Sequence, residues 1–370
     1  MAMRHRIKLD SDVYTEAKKR IRHIIATFDN VLVAFSGGKD SWATLNLVQE
    51  VYDELGITDK VKVFFRDEEV ISDSVVSFVQ GIYESGKFDF RYYAIPLVSQ
   101  KFVLGKTEKY VQWDRNRKWL RQPPEYAIRI PDNEYREFDQ YTTDAFVCKN
   151  EKGRVAIVNG IRADESLVRL QSCVNKRNEN YICGTKEPRI KNCKPIYDWN
   201  EQDIFLYFYK KGLKYCDIYD AETLNSMELR VSTPFHAESA KHFDKIRTLY
   251  PTYYQQLVDL FPEFILQARY WKEFKGGSKD TVYEKYEHSF RGIYRYIDDN
   301  LQGVERELAI KRVKTVETSR RNAGDGKNLG AYPVRYVFEQ VVNGAFKRNI
   351  LPKSKPSSLD FEFEGLEAPV

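Results

Sequence analysis

The residues best suited to chemistry form a hexapeptide at positions 36–41, Ser-Gly-Gly-Lys-Asp-Ser. It follows an apolar run at 31–35 that is typical of a buried parallel strand, and it precedes a segment, 42–55, whose apolar residues recur at helical spacing. Two glycines let the main chain approach an anion closely, while a helix N-terminus, an ammonium and two hydroxyls supply donors. The sequence therefore predicts a pyrophosphate-binding turn, with nucleotide contacts from Ser36, Gly37, Gly38, Lys39, Asp40 and Ser41.

A second group of candidate residues follows the predicted strand at 61–65. Asp67 and Glu68 belong to an acidic cluster at the carboxyl end of this strand, where open α/β sheets place their ligand crevice. We expect both residues to contribute to the nucleotide site. Carboxylate oxygens suit Mg²⁺, so Asp40 and Asp67 are predicted to hold this ion directly or through water.

A third group lies in the segment 160–169, Gly-Ile-Arg-Ala-Asp-Glu-Ser-Leu-Val-Arg, directly after another predicted strand. Arg162 and Arg169 are seven residues apart and would share one face if this segment is helical, so they could clamp a phosphate or sulfate bidentately. Gly160 and Glu165 complete the predicted nucleotide contacts, and orienting the arginines is an alternative role for Glu165. For Arg162 the alternative is a surface ion pair with a neighbouring carboxylate.

Strand and helix signals alternate along the first 215 residues. Predicted strands lie at 31–35, 61–65, 90–97, 154–160 and 194–199. Predicted helices lie at 11–28, 42–55, 73–84 and 201–211, the last of them capped by Asn200. This alternation predicts an α/β fold with a doubly wound parallel sheet over residues 1–215, interrupted by an insertion at 101–150.

The remainder of the chain has helical spacing almost throughout and predicts a mainly helical C-terminal region at 216–350. We expect helices at 237–249, 253–260, 262–274, 282–308 and 336–346. The last residues, 351–370, predict an acidic and flexible tail.

Three motifs carry a resemblance to a known family: the hexapeptide at 36–41, the segment 160–169 and Lys-Pro-Ile-Tyr-Asp-Trp-Asn-Glu-Gln-Asp-Ile-Phe at 194–205. In this order they resemble motifs of the PP-loop ATP pyrophosphatase superfamily, in its PAPS reductase-like branch. That branch includes sulfonucleotide reductases, the small subunit of ATP sulfurylase and the DNA phosphorothioation protein DndC. The resemblance implies an adenine nucleotide α-hydrolase-like fold and ATP cleavage at the α phosphate, with catalytic roles for Lys39, Asp40, Arg162 and Arg169.

The cysteines bear on the reaction class. Sulfonucleotide reduction needs a reactive thiolate, which the reductases carry near their C-terminus, and this chain has no cysteine after Cys216. We therefore expect an ATP-dependent nucleotidyltransferase or pyrophosphatase that adenylates an acceptor. The alternatives are a sulfonucleotide reductase or sulfur-transfer enzyme, and a non-catalytic nucleotide-binding regulator. Cys173, Cys183 and Cys193 recur at ten-residue intervals, and the sequence leaves open whether they hold a metal or cluster.

The insertion interleaves aromatic and basic side chains, which suits stacking on bases and pairing with phosphates. The predicted substrate contacts are Trp113, Arg115, Arg117, Trp119 and Arg121. A packed lid, with its tryptophans buried against the sheet, is an equal alternative. This insertion, the acidic cluster and Phe-His at 235–236 resemble the IbrA-type proteins of the same branch, which implies a ParB-like partner and DNA.

Composition restricts the remaining possibilities. The chain has 370 residues and a net charge of only +5, which does not by itself identify a nucleic-acid-binding protein. The positive charge is concentrated at 301–350, which holds ten Lys and Arg residues against five Asp and Glu residues. No signal peptide or membrane span is recognisable, so a cytoplasmic location without membrane contact is predicted. The sequence is compatible with a homodimer.

Overall fold

A computed structural model describes residues 9–174, 179–225, 231–236, 239, 243–277, 285–322 and 331–353. Eight strands lie in the first part of the chain: β1 (Asn30–Phe35), β2 (Lys62–Arg66), β3 (Asp89–Tyr93), β4 (Leu97–Val103), β5 (Lys106–Gln112), β6 (Val155–Asn159), β7 (Ile182–Gly184) and β8 (Ile190–Cys193). The helices of this part are α1 (Val13–Thr27), α2 (Lys39–Glu54), α3 (Asp73–Glu84), α4 (Gln140–Val147), α5 (Leu167–Val174), α6 (Glu201–Lys211) and α7 (Ile218–Leu224).

Six strands form one sheet in the order β3-β2-β1-β6-β8-β7. The first five of these are parallel, and β7 pairs antiparallel with β8. Strands buried on both faces read as continuous apolar runs, which explains why β1 and β6 were recognisable from sequence. The predicted α/β fold with a doubly wound parallel sheet is confirmed.

The order of strands reverses beside β1, because β2 follows β1 on one side and β6 lies on the other. A reversal of this kind leaves a crevice at the carboxyl ends of the two central strands, where the loops that follow them diverge to opposite faces. The loops after β1 and β6 carry two of the three predicted motifs. The sheet topology therefore brings together residues that are about 120 positions apart in the chain.

Alternate residues of β1 pack on opposite faces of the sheet. Val31, Val33 and Phe35 belong to a core cluster that includes residues of α1, α2 and α3. Leu32 belongs to a separate cluster with Phe146 and Val147 of α4. Both faces are thus covered, and α2 is held with its N-terminus at the carboxyl edge of the sheet.

Two strand predictions were wrong in detail. Residues 194–199 form consecutive turns rather than a strand, with Trp199 N–H donating to the Ile196 carbonyl, and the edge strand β8 ends at Cys193. Buried Ile196 and Trp199 produced the strand-like pattern, but Pro195 has no N–H for a ladder. The predicted strand 90–97 is also divided: β3 ends before Pro96, and β4 begins an antiparallel hairpin with β5.

The chain divides into two compact units, a larger one, Ile7–Arg269, and a smaller one that includes Tyr270–Val370. The later helices are α8 (Phe243–Leu249), α9 (Pro251–Leu260), α10 (Glu263–Gly277), α11 (Phe290–Asn300), α12 (Gly303–Asn322) and α13 (Val334–Val342). A helical C-terminal region is confirmed. The division into domains at residue 215 stays a prediction. The boundary between the two compact units lies further along the chain, between Arg269 and Tyr270.

The smaller unit has its own core, formed by α11, α12 and α13 around Ile293, Val313 and Phe338. The single helix predicted at 282–308 is wrong over its described part, since the backbone is extended at Leu301 and α12 starts anew at Gly303. Residues 354–370 of the predicted tail lie outside the described residues. In the part of the chain that is described, no helix is both long and apolar enough to cross a membrane.

Candidate nucleotide site

The turn after β1 is held in shape by its own hydrogen bonds. The Ser36 amide donates to Ser41 Oγ at 3.1 Å, and this hydroxyl donates to the Gly38 carbonyl at 2.9 Å. Gly37 has φ +78°, and a Cβ there would lie 2.8 Å from a methyl carbon of Val75 in α3. Only glycine therefore fits this position without strain.

Helix α2 begins at Lys39, so the turn delivers an anion-favouring helix N-terminus to the carboxyl edge of the sheet. The first N–H groups of a helix lack acceptors within it. Here the Lys39 amide donates to the hydroxyl of Tyr219 at 2.8 Å. Sequence reasoning missed Tyr219, because no local pattern signals a contact across 180 residues.

The loop after β6 packs directly on the first turn of α2. A Cβ on Gly160 would lie 2.5 Å from the carbonyl carbon of Asp40 and 2.6 Å from the Ser41 nitrogen. The Arg162 side chain is 4% exposed, and its Nε donates to Asp40 Oδ1 at 2.6 Å. The structure thus brings together Gly160, Arg162 and Asp40, as the sequence-based site requires.

The positive groups of the site are already paired with carboxylates. Arg162 Nη1 also donates to both carboxylate oxygens of Asp164 at 2.8 Å. The Lys39 ammonium is 4% exposed and lies 3.4 Å from the Asp40 carboxylate and 3.2 Å from that of Glu201. Each cation is therefore oriented by acidic neighbours, and part of its charge is neutralised.

Glu165 connects the two arginines of the motif. Its Oε2 accepts the Arg162 amide at 3.1 Å, and its carboxylate pairs with Arg169. The two arginines do not share a helix face, because the segment is not one continuous helix and a short 3-10 helix, Ala163–Glu165, precedes α5. Extended backbone at Ser166 separates these two helical segments.

The acidic cluster after β2 has a different environment from the one predicted. Asp67 is 2% exposed, its Oδ1 accepts Arg121 Nη2 at 2.5 Å, and its Oδ2 accepts the Tyr92 hydroxyl at 2.5 Å. This pairing disfavours the predicted Mg²⁺ contact, because both oxygens already bind donors. Glu68 accepts the Thr233 amide at 3.0 Å. No group of three or more potential metal ligands occurs among the described residues.

Glu69 belongs to the same acidic cluster, but its buried ion pair was not predicted from the sequence. It is fully buried with φ +62°, and it accepts two hydrogen bonds from the guanidinium of Arg117 and one from the Trp113 amide. Trp113 also has positive φ, and its indole donates to the Asp67 carbonyl at 2.8 Å. The available signal in the sequence was the presence of an acidic segment after β2 together with an arginine-rich insertion, because buried charges need partners of opposite sign.

The predicted substrate residues fall into two groups. Trp113, Arg117 and Arg121 are engaged with Asp67 and Glu69, which supports the packed-lid alternative for them. The ring of Trp119 packs edge-on against that of Trp113, with centroids 5.4 Å apart. Arg115 is exposed, stacks on Tyr135 and donates to the Asp132 carbonyl.

The cysteines are mostly buried thiols. Burial raises the pKa of Cys216 to about 11 and the pKa values of Cys148 and Cys193 to about 12. A thiol with such a pKa carries almost no thiolate at neutral pH, and the thiolate is the nucleophilic form. Cys173 and Cys183 both lie near Ser172, but they join no candidate metal cluster in the described part of the chain.

Residues 30–257 match the model of one protein family, the phosphoadenosine phosphosulfate reductase domain. A curated relative, the uncharacterized protein YbdN of Escherichia coli strain K12, is 29% identical over 218 residues. The match covers 55% of this chain and 53% of YbdN, so the chain spans about half the length of this relative.

The solved structures that are similar to this chain at low identity include three of different kinds. FMN adenylyltransferase of Candida glabrata with FMN and an ATP analogue has a TM-score of 0.38 and 15% identity, covering 59% of this chain and 66% of that one. PAPS reductase of Candida auris with phosphate has a TM-score of 0.32 and 11% identity, and the match covers 58% of this chain and 93% of that one. The U34-tRNA thiolase NcsA of Methanococcus maripaludis has a TM-score of 0.33 and 14% identity, and the match covers 69% of this chain and 80% of that one.

Proposed function

The chain belongs to the phosphoadenosine phosphosulfate reductase domain family, whose model matches more than half of it, and we propose that it is an ATP-dependent nucleotidyltransferase. In the proposed reaction a nucleophile of the acceptor attacks the α phosphorus of ATP. The bond from the α phosphorus to the oxygen that bridges to the β phosphate breaks, and pyrophosphate leaves with the bonding electrons. The products are an adenylated acceptor and pyrophosphate.

One observation carries the proposal: the close packing of Gly160 on the first turn of α2, together with the ion pair of Arg162 and Asp40. This contact joins the two loops at the point where the strand order reverses. Their donors, the α2 amides on one side and a buried guanidinium on the other, are therefore near enough to act on one ligand. A glycine-lined turn at a helix N-terminus suits the β and γ phosphates in particular.

The proposed roles follow from charge. Negative charge develops on pyrophosphate as it leaves, and preorganised donors stabilise such charge best. Lys39 and the α2 amides would bind the leaving phosphates, and Arg162, fixed by Asp40 and Asp164, would contact the α phosphate. Arg169 would assist from the next helix. Mg²⁺ would accompany ATP as the counter-ion of its phosphates, and no step requires a carboxylate pair to hold it.

The buried thiols favour nucleotidyl transfer over thiol-dependent reduction. A reductase would need a thiolate near the site, and burial raises the pKa of Cys216 well above its usual range. For the acceptor we propose a nucleotide or nucleic acid, delivered with a ParB-like partner. The exposed guanidinium of Arg115 and the basic composition of 301–350 support this part of the proposal.

The test uses ATP labelled at the α phosphate, incubated with the protein alone and with DNA, RNA or a ParB-like partner. We expect labelled AMP or an AMP-acceptor adduct, together with unlabelled pyrophosphate. ADP with orthophosphate would overturn the proposal, and nucleotide binding without turnover in every mixture would indicate a non-catalytic regulator.

A glycine pair supplies the matched variants for this assay. A Cβ on Gly38 would lie 3.1 to 3.2 Å from Val231, Ser36 and Tyr219, whereas one on Gly184 would meet nothing within 4 Å. Gly38→Val should therefore abolish ATP binding, and Gly184→Val should leave it unchanged. Wild-type affinity in Gly38→Val would count against the site.

A further inference from the structure

Tyr219 of α7 contacts the N-terminus of α2 at the turn proposed to bind pyrophosphate. Its hydroxyl accepts the Lys39 amide at 2.8 Å, and the Lys39 ammonium lies 5.1 Å from the centre of its ring. The side chain is only 2% exposed. The amide that opens α2 is thus satisfied by a protein side chain instead of being open to a ligand.

The Tyr219 hydroxyl is a neutral acceptor. Burial raises its pKa well above the usual range, so it stays protonated at physiological pH. A helix N-terminus interacts more favourably with an anion than with a neutral oxygen, and a charge-assisted hydrogen bond is the stronger of the two. Exchange of this hydroxyl for a phosphate oxygen would therefore improve the contact made by the Lys39 amide.

A second internal contact lies on the same lysine. Glu201, the first residue of α6, places its carboxylate 3.2 Å from the Lys39 ammonium, and its side chain is about half exposed. This carboxylate supplies the negative charge that a β or γ phosphate would otherwise provide. Glu201 and Tyr219 both come from the stretch of chain after β8.

We infer that Tyr219 and Glu201 are internal substitutes for the pyrophosphate moiety, so that nucleotide binding requires both contacts to be exchanged for phosphate oxygens. The inference rests on the proposed function, and it adds two residues that set affinity without contacting bound nucleotide. The ligand chemistry they mimic is that of a pyrophosphate group, as part of ATP or free. AMP, with a single phosphate, should compete poorly for these contacts.

The experiment compares Tyr219→Phe with Tyr215→Phe in the full chain. Tyr215 lies beside Tyr219, but its hydroxyl donates to Asp220 instead of contacting the turn. One net hydrogen bond corresponds to roughly a 2- to 10-fold change in an equilibrium constant, so Tyr219→Phe should bind ATP and inorganic pyrophosphate tighter by about that factor. Affinity for AMP should not change, and Tyr215→Phe should resemble the wild type with all three ligands.

Glu201→Gln provides an independent variant should Tyr219→Phe fail to fold, and it too should bind ATP and pyrophosphate more tightly. A wild-type protein that binds ATP, with equal or weaker binding by both variants, would overturn this inference and leave the proposed function intact. Weaker binding by Tyr219→Phe alone would make Tyr219 a phosphate ligand and would also overturn it. Absence of binding to ATP and pyrophosphate by every protein would remove both proposals.

Discussion

Gly160 is the residue whose substitution tests the site most directly. Its missing Cβ would lie within 2.6 Å of main-chain atoms of Asp40 and Ser41, and main-chain atoms cannot rotate away as side chains can. In Gly160→Ala the two loops would have to separate. We expect a loss of about 1 to 3 kcal/mol in the free energy of unfolding, as for other overpacked positions, and weaker ATP binding.

Urea denaturation and an ATP titration measure both effects of Gly160→Ala. Gly81→Ala is the matched control, because Gly81 lies within α3 and a Cβ there would meet nothing within 4 Å. Alanine should raise stability at that helical position by roughly 0.5 to 1 kcal/mol. A Gly160→Ala protein with wild-type stability and affinity would show that the two loops do not depend on this contact.

Cys216 gives a prediction about pH. Its pKa is raised from 9.0 to about 11 by burial, so the folded protein retains a proton that the unfolded chain has lost between these values. The stability contributed by the neutral thiol is fully present below pH 9 and decreases as pH rises towards 11. Relative to Cys216→Ala, the wild type should lose up to about 1.4 kcal/mol per pH unit in this window.

Urea denaturation of both proteins at pH 8, 9.5 and 10.5 measures this difference, and titrating tyrosines common to both proteins cancel in the comparison. ATP binding by Cys216→Ala at pH 7.5 should match the wild type. Loss of ATP turnover in this variant without unfolding would instead indicate a catalytic thiol.

At the scale of elements, the segment that follows the β4-β5 hairpin forms ion pairs with the acidic residues that follow β2. Arg117 pairs with the fully buried Glu69. Removal of one partner from a buried ion pair leaves an uncompensated charge, which typically destabilises a protein by about 3 to 5 kcal/mol. We expect Arg117→Met to have an effect of this size in chemical denaturation.

Arg115→Met is the control for this prediction, because Arg115 is exposed and contacts the ring of Tyr135 and the Asp132 carbonyl instead of a buried carboxylate. A surface substitution of this kind should change stability by no more than about 0.5 kcal/mol. Equal effects of the two substitutions would contradict the packed-lid interpretation. A loss of nucleic-acid binding in Arg117→Met without destabilisation would restore the substrate role first predicted for Arg117.

Elements were predictable where local signals agreed. Helix α3 was predicted at its observed bounds, and Asn200 caps α6 through a reciprocal hydrogen-bond pair with Asp203, as the residue type suggests. The strand predicted at 194–199 was wrong, because burial of the side chains there suggests a strand but the backbone hydrogen bonds are those of turns. Ile196 and Trp199 are buried like strand residues, yet their backbone forms turns. Hydrophobicity reports burial, and it does not report backbone conformation.

At the scale of the whole molecule, the sequence could not show contacts between residues that are far apart in the chain. The turn at 36–41 and the motif at 160–169 were recognisable because each is local. The partners of their side chains and backbone are distant: Arg162 and Asp40 are 122 residues apart, and Lys39 and Tyr219 are 180 apart. A single sequence shows which charges exist, but only the fold shows which of them neutralise each other.

The proposed binding of nucleic acid would involve two separate regions of the chain. The excess of positive charge lies at 301–350, where Lys311 and Lys314 are exposed on α12, whereas Arg115 belongs to the larger unit. Each contact with a phosphate contributes about one unit to the slope of log affinity against log salt. The two regions should therefore contribute separately to affinity and to its salt dependence.

We accordingly expect Arg115→Ala to weaken binding of single- or double-stranded nucleic acid and to reduce the salt slope by about one, because one phosphate contact is lost. Arg154→Ala is the matched control, since this exposed arginine pairs with Asp29 and precedes β6, at the amino end of the parallel strands. ATP binding should be unchanged in both variants. Filter binding of DNA and RNA at two salt concentrations, with and without a ParB-like partner, measures the effect. If the wild type binds no polynucleotide in any combination, the acceptor must instead be a small molecule.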